Sequence, residues 1–414
     1  MSVSPARQVA YRVLVRVFED DAYTDRAFAA AAGNLDGRDR ALAQRLAYGT
    51  VQRVRTLDYA IDAIGRRPVR RLDPPVRAAL RLAAYQLGYL EGVPAHAAVD
   101  EAVELVRAAG IERAVGFTNA VGRRLADGLK GLLAELPDGA ASEAALRHSY
   151  PDWIADVWWR DLGPGEARAL MLAQNEPSPT VVRRNALRER EVGGTPDPDV
   201  PGALHVDRVD EGALAEGLIF PQSLGSQLAG LAVGAQPGDR VLDLCAAPGA
   251  KATQLAERAS EVVAVEIHPG RARELEENVR RLGAANVRVV NADAFALPDD
   301  LTGFDRVLVD APCSGLGVLA QRPDLRWRAQ PLPELQAGLL RVAAERLRRG
   351  GVVVYSVCTI NADESEAVVD ASGLEAEDLG REWPAFRHRR RPEFLQTLPH
   401  RHRTSGFFVA RLGT

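Results

Sequence analysis

The sequence predicts a multidomain protein in which an all-α N-terminal part precedes an α/β part built on a parallel sheet. Three observations predict this. The chain has 414 residues, long for one core and enough for two or three domains. Through the first third, apolar residues recur at three- and four-residue spacing with no strand-like alternation. From about residue 216, apolar runs of four to six residues alternate with helical patterns, as strands buried on both faces and joined by crossover helices do.

Residues 1–135 form the expected helical domain. Val9, Val13 and Val17 share one helix face, as do Leu42, Leu46 and Val51. Pro75–Leu87 reads as a strong helix ended by Gly92-Val93-Pro94, and Ala97–Ala108 as the next. Positive charge concentrates in Arg53-Val54-Arg55, expected at a helix end, and in Arg66-Arg67-Pro68-Val69-Arg70-Arg71, expected in a loop. Residues 136–215 read as a small mixed α/β linker domain. There Ser149–Trp153 opens a helix, Thr180–Asn185 is a short strand, and Gly193–Asp199 is a turn-rich loop without regular structure.

Residues 216–414 form the expected α/β domain. Its strands fall at Arg240–Leu244, Val262–Glu266, Val287–Asn291, Arg306–Asp310 and Val352–Ser356. Helices are expected over Ala252–Ala259, Gly270–Leu282 and Pro333–Arg349. A helix near Asp363–Asp370 and two last strands, near Glu393–Leu398 and Gly406–Leu412, complete it.

Composition narrows the function. Hydrophobic residues are 46% and charged residues 26% of the chain, ordinary globular proportions. No apolar run of about 18 residues predicts a membrane span, and Met1–Arg7 lacks a secretory signal. Cys245, Cys313 and Cys358 have no CxxC spacing and cannot form a disulfide framework, so a reduced, cytoplasmic protein is expected; a monomer is also expected. The seven histidines are scattered and none sits at ligand spacing from a cysteine, so no metal site is expected. The net charge of −4 exerts no global pull on nucleic acid. Residues 1–130, however, carry 20 Lys+Arg against 15 Asp+Glu. Nearly all these cations are arginine, whose planar fork suits phosphate; a solvated surface is the other use of such charge.

Val241-Leu242-Asp243-Leu244-Cys245-Ala246-Ala247-Pro248-Gly249-Ala250-Lys251 joins a buried strand to a helix through small residues. A ligand approaches backbone closely only where side chains are small, and ligands gather at the carboxyl ends of such strands. Glu266, Asp293 and Asp310 end or follow the next three strands, with Glu266 placed to accept from ribose hydroxyls. The loop is neither GxGxxG nor GxxxxGK[ST]. A cofactor held by ribose and adenine, without a pyrophosphate, fits it better than a dinucleotide.

Asp310-Ala311-Pro312-Cys313 leaves the fourth strand and Tyr355-Ser356-Val357-Cys358 the fifth, so both cysteines are expected on the cofactor edge. A thiolate is a strong nucleophile. Its addition at carbon 6 of a cytosine makes carbon 5 electron-rich enough to take an activated methyl group. A base then removes the carbon-5 proton and the thiolate leaves. Cys245, on the strand itself, reads more simply as a small core residue.

At these motifs the chain closely resembles the RsmB/Sun family of ribosomal RNA cytosine-5 methyltransferases, over nearly its whole length. The resemblance implies a Rossmann-like class I methyltransferase domain and S-adenosylmethionine as cofactor. It implies that Cys245, Ala246, Ala247, Pro248, Gly249, Ala250, Lys251, Glu266, Asp293 and Asp310 contact that cofactor. Cys358 would be the nucleophile and Cys313 would assist product release. The N-terminal part resembles the NusB RNA-binding domain through Arg38–Ala43, Tyr85-Gln86-Leu87 and Val93–Ala97. Leu398–Phe408 resembles the family's terminal hairpin. Three positions depart from the usual pattern: Ala250 replaces a second glycine, Glu266 an aspartate, and Val357 a threonine.

The expected substrate is RNA, foremost 16S ribosomal RNA, with the target base taken out of its stack. Arg66, Arg67, Arg70 and Arg71 would bind it, and Arg389 and Arg390 would line its path. Transfer RNA remains an alternative substrate, and a non-catalytic RNA-binding protein on the same fold an alternative function. A methyltransferase acting on a protein or small molecule is a further alternative; a small-molecule enzyme would not need an arginine-rich helical domain, and attack at carbon 5 is what explains two cysteines on one edge.

Overall fold

The computed structural model describes residues 3–413, which divide into two compact units. One runs to Glu176 and also takes in Leu319–Arg328; the other holds Pro177–Val318 and the chain from Ala329 onward. No helix among the described residues is long and apolar enough to cross a membrane.

The first unit is helical: α1 (Pro5–Glu19), α2 (Thr24–Ala31), α3 (Gly37–Gly65), α4 (Pro74–Tyr89), α5 (Ala95–Ala108), α6 (Glu112–Glu135), α7 (Ala141–His148), α8 (Asp152–Leu162) and α9 (Pro164–Ala173). The expected valine stripe of α1 is buried, together with Leu46, Val51 and Leu57 of α3 and most of the alanine-rich α4. Asp36 caps α3 by accepting from Asp39 N at 2.8 Å. Nothing breaks the helix before Gly65, so Arg53–Arg55 lies in its interior and not at a helix end as expected. Arg66, Arg67, Arg70 and Arg71 follow it and are exposed, in and beside a single tight turn, Val69–Arg71.

The 136–215 stretch is not one body. Its helices bury Tyr150, Ile154, Trp158 and Leu170 in the helical unit, and the boundary falls at Glu176. The returning segment Leu319–Arg328 brings Arg326 into the same unit, fully buried. Arg326 donates to Gln52 O (3.1 Å), Gln174 O (2.8 Å) and Asn175 Oδ1 (2.7 Å). Sequence periodicity carries no mark of an excursion this short.

The second unit carries two sheets. In the smaller, β1 (Thr180–Arg184), β2 (Thr195–Pro196), β3 (Ala203–Val206) and β4 (Ile219–Pro221) lie in the order β2-β3-β1-β4. The two-residue β2 stands in the loop expected to be irregular. Pro196 is tolerated there because β2 is an edge strand.

The larger sheet uses β5 (Arg240–Asp243), β6 (Glu261–Glu266), β7 (Val287–Asn291), β8 (Phe304–Asp310), β9 (Leu347–Val357), β10 (Glu375–Glu377), β11 (Leu395–Thr397) and β12 (Phe407–Gly413). Its path is β10-β12-β9-β8-β5-β6-β7, with β11 paired to β12. β5 to β9 are mutually parallel, while β12 pairs antiparallel with β9. Alternate residues fill two cores. Val241, Val262, Leu308 and Val354 face helices Leu224–Ala232 and Ala250–Leu255; Leu242, Val263, Val307 and Tyr355 face helix Pro333–Arg346. Burial on both faces is why these strands read as continuous apolar runs. Every strand expected after residue 216 is present; β4 and β10, each three residues long and too short for a periodic signal, were not expected.

Candidate active site

Because β5 to β9 run parallel, the loops at their carboxyl ends open on one edge. At the end of β5 the chain turns through Leu244–Gly249 into helix Ala250–Leu255. Two backbone bonds hold the turn: Ala246 N donates to Val265 O (2.9 Å) and Gly249 N to Ala246 O (2.7 Å). Gly249 has φ +105°, and a Cβ there would stand 2.7 Å from Leu275 Cδ1. Only glycine suits that position. Ala250, the departure from a second glycine, begins the helix with ordinary backbone geometry.

Glu266 ends β6 buried, accepting from His268 N (2.8 Å) and lying 3.4 Å from the Arg271 guanidinium. Asp293 is exposed beyond β7 and accepts from Phe295 N at 2.9 Å. Asp310 ends β8; its carboxylate accepts from Lys251 Nζ and from Ser356 Oγ, both at 2.7 Å. The cofactor loop, β8 and β9 are thereby tied together through Asp310.

The two cysteines meet. Cys313 Sγ and Cys358 Sγ are 3.4 Å apart, each partly exposed. One thiol can donate to the other sulfur as a thiolate. Their surroundings favour charge on Cys358. The hydrogen bond from Cys313 lowers the Cys358 pKa against desolvation, with Lys251 assisting and Asp310 opposing. The Cys313 pKa rises well above the ordinary thiol value through that same hydrogen bond and burial, reinforced by Cys358 and Glu364. Cys245 lies just past the strand end and packs against the core. Burial, then the neighbouring Asp243, pushes its thiol pKa up. It is poorly suited to be a nucleophile.

The family profile described as 16S rRNA methyltransferase RsmB/F matches residues 231–413, and the NusB family profile matches residues 4–127. The ribosomal RNA small subunit methyltransferase B of Thermus thermophilus is 38% identical over 81% of this chain and 78% of its own length. The chain belongs to the RsmB/F family of 16S rRNA methyltransferases. The fold agrees with that of PH0851, with a TM-score of 0.79 at 23% identity over the whole of both chains. It also agrees with NSun6 from Pyrococcus horikoshii, solved with SFG, at a TM-score of 0.57 and 24% identity over 64% of this chain and 98% of that one.

As an RsmB/F methyltransferase with an N-terminal NusB domain, the chain shows further residues that the sequence reading missed. Ile267 and Phe295, directly beyond Glu266 and close after Asp293, are 53% and 51% exposed. Both are large apolar side chains held open beside a carboxylate. Asp243 is 1% exposed, and its Oδ2 is buried without a hydrogen-bond partner. Burial, with the Asp310 charge adding and Lys251 opposing, raises its pKa to about 7. Arg183, 2% exposed, pairs with Glu257 and donates to Thr253 Oγ1 (2.8 Å) and Gln222 Oε1 (2.9 Å). It braces the helix behind the cofactor loop from β1. The spacing of Ile267 and Phe295 after the acids was a usable signal; no local pattern marks Arg183.

The arginines expected to bind RNA differ among themselves. Arg66, Arg67, Arg70 and Arg71 are exposed, and Arg67 lies over the Phe117 ring at 5.5 Å. Arg390 is exposed but engaged with Glu366 at 2.7 Å, and Arg389 also has a partner. A groove of about 1230 Å³ runs past Arg190, His205 and Arg208 beside the small sheet. None of the predicted site residues lines it. Among the described residues no cluster of three His, Cys, Asp or Glu could hold a metal.

Proposed function

We propose that this chain is an S-adenosylmethionine-dependent RNA cytosine-5 methyltransferase acting on 16S ribosomal RNA, with Cys358 as nucleophile and Cys313 assisting product release. The observation that carries this reading is the 3.4 Å approach of the two sulfurs on the strand edge that also bears the cofactor-type loop. One nucleophile would suffice to attack a base. A second thiol within hydrogen-bond reach can hold the first as thiolate; in the elimination a base takes the carbon-5 proton, the carbon 5–carbon 6 double bond re-forms, and the bond to Cys358 breaks to release a thiolate to which Cys313 again donates.

The residues present fit S-adenosylmethionine. Gly249 takes a left-handed turn that keeps the loop bare of a side chain, Glu266 and Asp293 offer carboxylate acceptors, and Ile267 and Phe295 offer apolar faces. SFG, bound in the NSun6 structure, is an analogue of this cofactor. When bound, the cofactor supplies an activated methyl group. The protein's own part is the rest: Cys358 adds to carbon 6 of the cytosine, Lys251 and the Cys313 thiol favour its thiolate, and Asp310 holds Lys251 in place. The exposed Arg66–Arg71 cluster supplies phosphate contacts. A non-catalytic reading has no use for a paired thiol at the end of two parallel strands.

Cys358→Ser is expected to abolish methylation while S-adenosylmethionine still binds. Cys313→Ala is expected to accumulate a covalent protein–RNA adduct, seen as a retarded band on a denaturing gel. Unchanged turnover in the first variant, or no adduct in the second, overturns the assignment of the two roles. Bisulfite sequencing of ribosomal and transfer RNA from cells lacking the gene decides the substrate; loss of a mark only in transfer RNA refutes 16S RNA.

A further inference from the structure

Glu364 is a fully buried carboxylate that the chemistry above does not use. It lies six residues beyond Cys358, in the short turn Ala362–Glu364. One oxygen, Oε1, accepts from Ser314 N (2.9 Å), Leu332 N (3.0 Å) and Gln336 Nε2 (3.0 Å). The other, Oε2, accepts from the Ser314 hydroxyl, from Thr359 Oγ1 (3.3 Å) and from Asn361 Nδ2 (3.3 Å). Its backbone carbonyl accepts from the Tyr355 hydroxyl at 2.6 Å. Ser314 follows Cys313, and Thr359 follows Cys358. A single side chain therefore binds the residue next to each cysteine, and Ser314 Oγ and Thr359 Oγ1 also meet at 2.8 Å.

We propose that Glu364 is a positioning residue that holds the Cys313 and Cys358 loops against one another and decides which of the two sulfurs reacts. Every group around the carboxyl can donate, which suits an acceptor-only side chain. Such a fully satisfied buried network rigidifies its surroundings, whereas removing its centre leaves several donors without a partner. A negative group bonded to the Cys313 loop also opposes charge on Cys313 more than on Cys358, in keeping with the raised Cys313 thiol. The two effects act together: one sets the distance between the sulfurs, the other the direction of the proton between them. The role in methyl transfer rests on the cytosine-5 reading above; the control of sulfur reactivity does not.

The test is limited alkylation of the full chain by iodoacetamide, with peptide mass spectrometry to count label on Cys313 and Cys358 across pH 6 to 9, alongside methylation kinetics. The native protein is expected to label Cys358 at least tenfold faster than Cys313. In Glu364→Gln an amide nitrogen can replace Oε2 beside the two hydroxyls, which can turn to accept, and only the 3.3 Å contact from Asn361 Nδ2 is lost, so the loops should stay in place while the charge is lost. That variant is expected to keep its KM for RNA, lose kcat about tenfold, and narrow the labelling ratio to within threefold. Glu364→Ala is expected to lose both the ratio and turnover, and Glu364→Asp to recover neither. A Glu364→Gln protein with native labelling ratio and native kcat overturns the proposal. A changed ratio in a protein whose native form methylates no cytosine sinks the functional reading and leaves the positioning role standing.

Discussion

Asp243→Asn tests the electrostatics at the root of the cofactor loop. In the folded protein Asp243 Oδ2 has no partner, and Oδ1 only accepts weakly from Cys245 N at 3.4 Å. Burial raises its pKa from 3.8 to about 7. An acid with a raised folded pKa destabilises the fold when ionised. That penalty is absent below about pH 4, grows as pH rises, and is complete above about pH 7. Three pH units at ~1.4 kcal/mol each give a penalty on the order of 4 kcal/mol at pH 8.5. Near pH 5 the same reasoning leaves roughly 1.5 kcal/mol. Asparagine removes the charge but buries an amide with incomplete bonding, costing about 1–3 kcal/mol. The variant should therefore be more stable than the native protein by about 1–3 kcal/mol at pH 8.5, with the gain gone at pH 5. Urea titrations with pulse-labelling mass spectrometry of β5 and β6 at the two pH values measure this for the relevant unit. Equal or lower stability of Asp243→Asn at pH 8.5 would refute the reasoning.

Two other perturbations follow from the same geometry. Ile267→Ala and Phe295→Ala remove side chains already half-exposed, so melting temperature should move little. S-adenosylmethionine binding should weaken about tenfold in each, or ~1.4 kcal/mol, by titration calorimetry; native affinity in both would remove them from the cofactor site. Replacing Arg66, Arg67, Arg70 and Arg71 by glutamine should weaken RNA binding and flatten the dependence of log affinity on log salt. The slope should fall by up to ~0.7 for each phosphate that the protein no longer neutralises. An unchanged slope would make that cluster a solvated surface.

What was legible in the sequence followed from what each signal encodes. Strands buried on both faces write themselves as apolar runs, so β5 to β9 could be placed within a few residues. Small residues after β5 marked the loop because close backbone approach needs them. The division of residues 136–215 was not legible, since it depends on which core Tyr150 and Trp158 join and not on local pattern. Arg390 shows the same limit from the other side. The run Arg387–Arg391, four arginines and a histidine, looks like a surface for phosphate, yet Glu366 reaches Arg390 and His388 from a helix earlier in the chain. Glu364 was invisible for the opposite reason, because one glutamate among several acids carries no signal until its six donors converge.

The pairing of the cysteines depends on register more than on either residue. Asp310 of β8 stands opposite Ser356 of β9, and these two side chains are bonded at 2.7 Å. Cys313 follows three residues after the first and Cys358 two residues after the second. The loops are then closed by Ala311 N donating to Ser356 O and Gly317 N to Cys358 O, both at 3.0 Å. Gly317 also allows Gly406 to approach so closely that a Cβ would lie 2.0 Å from its carbonyl oxygen. One residue added to either loop would shift a sulfur by up to ~3.3 Å, the rise of an extended residue, and break an approach of 3.4 Å. Thiolate stabilisation by the partner thiol would be lost even with both cysteines present. An insertion of one alanine between Pro312 and Cys313 is accordingly expected to behave as Cys313→Ala does, losing as much turnover and accumulating the same adduct, because in both variants Lys251 still favours the Cys358 thiolate while no second thiol stands beside it when the adduct must break. Native turnover in the insertion variant would show that the spacing of the two sulfurs does not matter, and the account of the pair would fall.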